Sequence, residues 1–94
     1  VVVVATPVRF HYEQSKAALL AGKHVWVEKP MTSTSEQARE LVEIAGERGL
    51  VLMVDHTFIF TGAVRKMKDL IDTGEMGDLY YYDSVRVNLG LFQS

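Results

Sequence analysis

The sequence predicts an α/β chain in which a parallel β-α-β-α-β unit is followed by a helix and a strand of different texture. Three observations predict this. The early strands are continuous β-branched runs rather than alternating ones, amphipathic or helix-compatible segments separate them at short spacing, and each run stops abruptly at polar residues or proline.

Residues 1–5 form the first expected strand, opening on Val1-Val2-Val3-Val4 and broken at Thr6-Pro7, because proline cannot donate to a central ladder. A helix is expected from about Val8 or His11 to Ala21, with Tyr12, Ala17, Ala18, Leu19 and Leu20 as a loose apolar stripe and Gly22 at the left-handed cap position. Residues 25–27 form the second strand, ending at Glu28-Lys29-Pro30. Thr34-Ser35-Glu36-Gln37 then has the pattern of a capping box. The helix it opens carries Ala38, Leu41, Val42, Ile44 and Ala45 on one face and ends at Gly49. Residues 50–54 form the third strand, closed by Asp55-His56.

Such continuous apolar strands are expected to be covered on both faces and joined by right-handed crossovers. Ligands of such sheets sit outside the carboxyl ends of the strands. Here those ends are Ala5-Thr6-Pro7, Glu28-Lys29-Pro30 and Asp55-His56, so the residues with chemistry fall on one edge.

Beyond His56 the pattern changes. Residues 57–60 read as an aromatic connector, and residues 62–72 as a helix with Val64, Met67, Leu70 and Ile71 inward and Arg65, Lys66 and Lys68 outward. Gly74 and Gly77 mark a turn. Residues 79–87 then read as a longer strand, with Leu79, Tyr81, Asp83, Val85 and Val87 on one face and Tyr80, Tyr82, Ser84, Arg86 and Asn88 on the other, as in an antiparallel sheet with one open face. The expected division places residues 1–57 in the parallel unit and residues 58–94 in a second domain.

With 94 residues, 48% hydrophobic and 23% charged, the chain has the composition of a small folded core. A formal net charge of −2 supplies no basic field for nucleic acid or anionic lipid, so neither partner is expected. No apolar run reaches the roughly 20 residues that span a bilayer. The absence of cysteine excludes disulfide frameworks and is compatible with a reducing compartment, read here as cytoplasmic. His11, His24 and His56 are dispersed without metal-ligand spacing, and no metal is expected. Because the chain starts inside an apolar run, it reads as an internal piece of a longer protein.

Among the strand-end residues, Lys29 offers an amine that can hydrogen-bond a substrate hydroxyl and stabilise charge developing on its oxygen. On spacing alone, a solvated lysine paired with Glu28 is an equal alternative. Thr6 and Pro7 are either a simple strand stop or a turn lying against a flat cofactor ring. His11 either faces a ligand at the same edge or is a solvated helix-start residue. Asp55 and His56, as neighbours on a strand, are expected to point to opposite faces.

At Ala5-Thr6-Pro7, His11, Ala21-Gly22-Lys23-His24-Val25 and Glu28-Lys29-Pro30, the chain resembles the Gfo/Idh/MocA family of nicotinamide-dependent oxidoreductases. The Val54-Asp55-His56 strand end and the Gly74 to Gly77 turn follow in the family's order. The resemblance implies the second half of a Rossmann sheet joined to the first helix and strand of an α/β substrate domain. It further implies NAD or NADP as cofactor, a sugar or polyol substrate, and a homo-oligomeric full-length protein. Lys29 resembles the family's catalytic lysine, placed at both substrate and nicotinamide. Thr6, Pro7, His11, Glu28, Lys29 and Pro30 are implied in cofactor binding, and His56 near the substrate. The family's Gly-rich phosphate loop is expected ahead of Val1, and the Asp and His that complete its site beyond Ser94. The chain alone is therefore expected to have little or no dehydrogenase activity. A non-catalytic cofactor-binding module of the same fold is the alternative.

Overall fold

The computed structural model describes residues 1–85 and Val87. In order, it contains β1 (Val2–Val4), a 3-10 turn (Val8–Phe10), α1 (His11–Leu20), β2 (Val25–Val27), α2 (Ser35–Glu47), β3 (Leu52–Val54), a second 3-10 turn (Thr57–Phe60) and α3 (Gly62–Asp72). The chain divides into two compact units, Val1–Phe60 and Thr61–Ser94.

The first unit is the expected β-α-β-α-β arrangement. Its strands form one parallel sheet in the order β1-β2-β3, with Val4, Val27 and Val54 in register. Each helix is ended by a glycine in the left-handed region, Gly22 at φ 71° and Gly49 at φ 62°. Around Gly22, the Lys23 N–H donates to the Ala18 carbonyl and the Gly22 N–H to Leu19; around Gly49, the Leu50 N–H donates to Ala45 and the Gly49 N–H to Gly46. These paired bonds satisfy the last helical carbonyls and turn the chain straight into the next strand. A side chain at either glycine would force a conformation that L-residues adopt only at a cost.

Both helices feed one core. Val4, Val25 and Val27 from the sheet meet Ala18 and Leu19 from α1 and Leu41 and Ala45 from α2. The stripe on α1 differs from the expected one. Its buried positions are His11, Ser15, Ala18 and Leu19, whereas Ala17 and Leu20 are exposed. Ser15 follows His11 by 4 residues, and Ala18 and Leu19 follow Ser15 by 3 and 4, which is helical spacing, but two of the four are polar, which hid the face from a purely apolar search. On α2, Leu41 and Ala45 are buried and Ala38 and Ile44 half-buried, but Val42 is exposed. At about 100° per residue, Val42 is rotated past the edge of the buried arc.

Among the described residues, one face of the sheet is covered. Alternation places Val2, Val4, Val25, Val27, Leu52 and Val54 toward the helices, and the opposite row, Val3, Trp26 and Met53, stays 63%, 43% and 42% exposed. Continuous apolar strands record what a sheet is suited to pack against, and in this chain both helices follow the same side.

Between α1 and α2, the Tyr12 hydroxyl donates to Glu40 Oε2 at 2.5 Å and accepts from Lys16 Nζ at 3.0 Å. Lys16 Nζ also pairs with Glu40 Oε1 at 2.6 Å. The hydrogen bonds from Lys16 and then Tyr12 hold the Glu40 carboxyl below its ordinary range. The same contacts, to Glu40 first and Tyr12 second, raise the Lys16 ammonium above its own. At the start of α2, Thr34 Oγ1 accepts from the Gln37 N–H at 3.3 Å, the forward half of the capping box. Gln37 Oε1 is buried and makes no hydrogen bond.

In the second unit, α3 has the expected bounds and is laced on its outer side by Lys66–Asp69 and Lys68–Asp72 pairs. Its apolar side, with Val64, Met67 and Ile71, lines an open groove together with Met76 and Leu79. The expected strand over 79–87 is not formed by the described residues 79–85 and 87. Arg86 and Asn88, assigned to its polar face, lie outside the described residues. Extended backbone becomes a strand only when a neighbour takes its N–H and C=O groups, and among the described residues none pairs with this segment.

Candidate functional site at the strand ends

The register fixes the site. With Val4, Val27 and Val54 side by side, the ladder runs one residue further: the Glu28 N–H donates to the Val4 carbonyl and the Asp55 N–H to the Val27 carbonyl, both at 2.9 Å. The polar residues that follow each strand therefore emerge level with one another.

At the end of β1, the Thr6 hydroxyl donates to Gln14 Oε1 on α1 at 2.8 Å, so the turn before Pro7 is tied to the helix that follows it. The Phe10 N–H donates to the Pro7 carbonyl and starts the first 3-10 turn. At the end of β2, the half-buried Glu28 folds back, its Oε2 accepting from the Lys29 backbone N–H at 3.1 Å. Among the described residues, the Lys29 ammonium forms no ion pair, so the alternative in which it pairs with Glu28 is not realised. Lys29 is exposed, and the Lys29-Pro30 peptide is cis.

Past β3, Asp55 and His56 both line an open cleft of about 430 Å³ with Lys29, Pro30, Thr57, Phe58 and Ile59. The two neighbours share one cleft past the end of β3 at Val54, where strict strand alternation ends. The His56 N–H turns back to the Val54 carbonyl, and the Ile59 N–H to the His56 carbonyl. The aromatic connector is thereby wound into a 3-10 turn that forms one wall of the cleft.

His11 is the residue whose position differs most from its surface reading. It is 1% exposed, so it is not a solvated helix-start residue. Its Nδ1 lies 2.8 Å from the Pro30 carbonyl oxygen and its Nε2 2.6 Å from that of Thr6. The ring thus spans the ends of β1 and β2. His24 is at the opposite edge of the sheet, where its Nδ1 accepts from the Val51 N–H at 3.0 Å, and it takes no part in the site. Among the described residues, no group of three or more His, Asp or Glu side chains is gathered to hold a metal ion.

An open apolar-walled cleft with a few polar groups, set at the carboxyl edge of a parallel sheet, is where nucleotide cofactors are bound in such folds. Residues 1–56 match the family model described as an oxidoreductase family with an NAD-binding Rossmann fold. The chain belongs to the Gfo/Idh/MocA family. Among curated relatives, it is 40% identical over 78 residues to dTDP-3,4-didehydro-2,6-dideoxy-alpha-D-glucose 3-reductase of Streptomyces violaceoruber, covering 83% of this chain and 23% of that protein. It is 41% identical over 81 residues to the NADP(+) scyllo-inositol 2-dehydrogenase IolW of Bacillus subtilis, covering 86% of this chain and 23% of the relative. Among solved structures, KijD10, a 3-ketoreductase from Actinomadura kijaniata crystallised with NADP and TDP-benzene, aligns with a TM-score of 0.69 at 42% identity. That alignment covers 77% of this chain and 22% of the other. The chain thus spans under a quarter of the length of the curated relatives named here.

Within this Gfo/Idh/MocA segment, the structure brings Lys29, Pro30 and His56 to one cleft and ties Thr6 and Pro30 together through His11. One contributor was not singled out by the sequence reading: Gln14 reaches Thr6 across eight residues, a pairing that no local pattern announces.

Proposed function

We propose that the protein to which this chain belongs transfers a hydride between NAD or NADP and a hydroxyl-bearing carbon of a sugar, sugar derivative or polyol. The observation that supports this reading is the exposed Lys29, which lines a cleft at the level strand ends together with Pro30, Phe58 and Ile59. The curated relatives named above act on a sugar nucleotide and on an inositol, and they support the substrate class.

The cleft suits a flat, partly apolar group flanked by polar ones: Pro30, Phe58 and Ile59 offer surface for the ring, and Lys29, Asp55, His56 and Thr57 its polar edges. Thr6, Pro7, Glu28, Lys29 and Pro30 are assigned to cofactor binding, with the buried His11 behind them, and Lys29 with His56 to the substrate. When bound, the nicotinamide supplies the hydride acceptor or donor at its C4. Lys29 Nζ donates a hydrogen bond to the reacting hydroxyl oxygen and stabilises the charge that grows there as its proton leaves. The Glu28 carboxylate fixes the Lys29 backbone, which limits where the amine can reach. The base that accepts the proton is assigned to the histidine of the Asp and His expected beyond Ser94.

In the domain plan that goes with this reading, residues 1–57 complete the nucleotide-binding domain and residues 58–94 open an α/β domain with an antiparallel sheet, used for substrate binding and oligomerisation. No helix among the described residues is long and apolar enough to cross a membrane. The absence of cysteine supports a reducing compartment such as the cytoplasm.

The test is a steady-state assay of the full-length protein with NAD and NADP against a panel of sugars and polyols. Lys29→Ala is expected to collapse kcat while leaving cofactor affinity largely intact. Unchanged turnover would remove Lys29 from the mechanism, and cofactor binding without turnover on any panel member would favour the non-catalytic module.

A further inference from the structure

His11 is a titratable side chain on the inner face of a helix, where its α1 neighbours Ser15, Ala18 and Leu19 pack into the core. Nothing in the proposed hydride transfer needs a buried imidazole. Yet both of its nitrogens meet oxygen atoms at hydrogen-bond distance, and the two oxygens belong to the two turns that build the site. One is the carbonyl of Thr6, the last residue before Pro7. The other is the carbonyl of Pro30, the residue after Lys29.

The partners are carbonyl oxygens, which only accept. A ring N–H donates to one of them while the ring's other nitrogen packs against the second, so both carbonyls are seated on the imidazole at 2.6–2.8 Å. No carboxylate among the described residues pairs with the ring, so its hydrogen bonds are all directed at the two turns. β1 and β2 are already joined by their ladder up to the Glu28 N–H, but beyond that point the two chains diverge into separate turns, and His11 links them there.

We infer that His11 is a positioning residue, whose buried ring, set between the Thr6 and Pro30 carbonyls, holds the Thr6-Pro7 turn to the Lys29-Pro30 turn and so sets where the Lys29 ammonium stands. It acts through the backbone of its partners and, being buried, does not touch the substrate. This inference rests on the proposed dehydrogenase reading for its kinetic consequences, but the lock itself is independent of that reading.

Two measurements on the full-length protein test it. In the first, His11→Gln, Lys29→Ala and the double variant are compared, with circular dichroism and cofactor titration establishing the folded, cofactor-competent fraction. Per competent site, His11→Gln is expected to lower kcat by about 10–100-fold, the scale on which a misplaced catalytic group acts. In the Lys29→Ala background, it is expected to have little further effect, because its influence passes through Lys29. Equal losses in both backgrounds, or a kcat per competent site within about twofold of the parent, would overturn the inference. In the second, histidine labelled with 15N in the unmodified protein is observed in neutral buffer, so that a variant that fails to fold does not decide the matter. A His11 ring N–H protected from exchange with solvent is expected, as burial between the two carbonyls requires. A freely exchanging ring refutes the lock whether or not the protein turns over, whereas an unmodified protein without hydride transfer refutes the dehydrogenase reading and leaves the lock to stand or fall on the spectra.

Discussion

Lys16 on α1 and Glu40 on α2 meet at 2.6 Å, and the Tyr12 hydroxyl closes the triangle from the same side of α1. The pair fastens the two helices that cover the sheet, at their polar margin and not in the core. The two side chains are 32% and 43% exposed, so solvent screens the interaction and its contribution is modest.

That contribution has a definite pH window. The Glu40 carboxyl lies below its ordinary value of 4.5 in the folded state, so its stabilisation is present above that value and is lost as pH falls through the lowered folded one. The Lys16 ammonium is raised above 10.5, so its share is complete below that value and is lost only in strong alkali. Glu40→Gln should therefore melt below the parent at pH 7, and the gap should close as acid protonates Glu40. Thermal melts from pH 7 down to about 3 check this, and a gap that persists unchanged across that range would count against the pair.

The buried arc on α2 predicts a sharp contrast between neighbours in sequence. Leu41 is fully buried against the sheet, and Leu41→Ala should cost about 3 kcal/mol through lost burial and the cavity left behind. Val42, 57% exposed, should lose no more than about 0.5 kcal/mol on change to alanine. Urea unfolding of both variants measures the difference directly.

Thr34 caps the first turn of α2 through its hydroxyl. Thr34→Ala should destabilise by about 1 kcal/mol, with Thr34→Ser close to the parent, because serine keeps the accepting oxygen. Equal losses in the two variants would show that the methyl group, not the cap, matters at this position.

Glu28 provides a test of how Lys29 is presented. Its carboxylate accepts from the Lys29 N–H, so Glu28→Ala should loosen the turn and lower kcat of the full-length enzyme by about tenfold, on the scale of a partly misplaced catalytic group. Glu28→Gln, which retains a side-chain carbonyl acceptor, should recover most of that loss. If alanine and glutamine behave alike, the charge and not the hydrogen bond is what Glu28 supplies.

Much of this arrangement was legible in the sequence, because it depends on local chemistry. The β-branched runs, the glycines at 22 and 49, the Thr34 cap and the amphipathic spacing of α3 each specify their element through backbone conformation and nearest-neighbour contacts. Since parallel strands deliver their ends to one edge, the gathering of Thr6, Lys29 and His56 on that edge followed from topology alone. Three features were decided only by tertiary structure. Whether a strand face is covered depends on which side the helices choose, so the exposure of Val3, Trp26 and Met53 was not encoded in their apolar character. Whether residues 79–85 and 87 pair depends on a neighbouring ladder and not on their aromatic propensity. The role of His11 depended on where the carbonyls of Thr6 and Pro30, five and nineteen residues away, come to rest, and a hydrogen bond between positions so separated exists only once the sheet has brought them together.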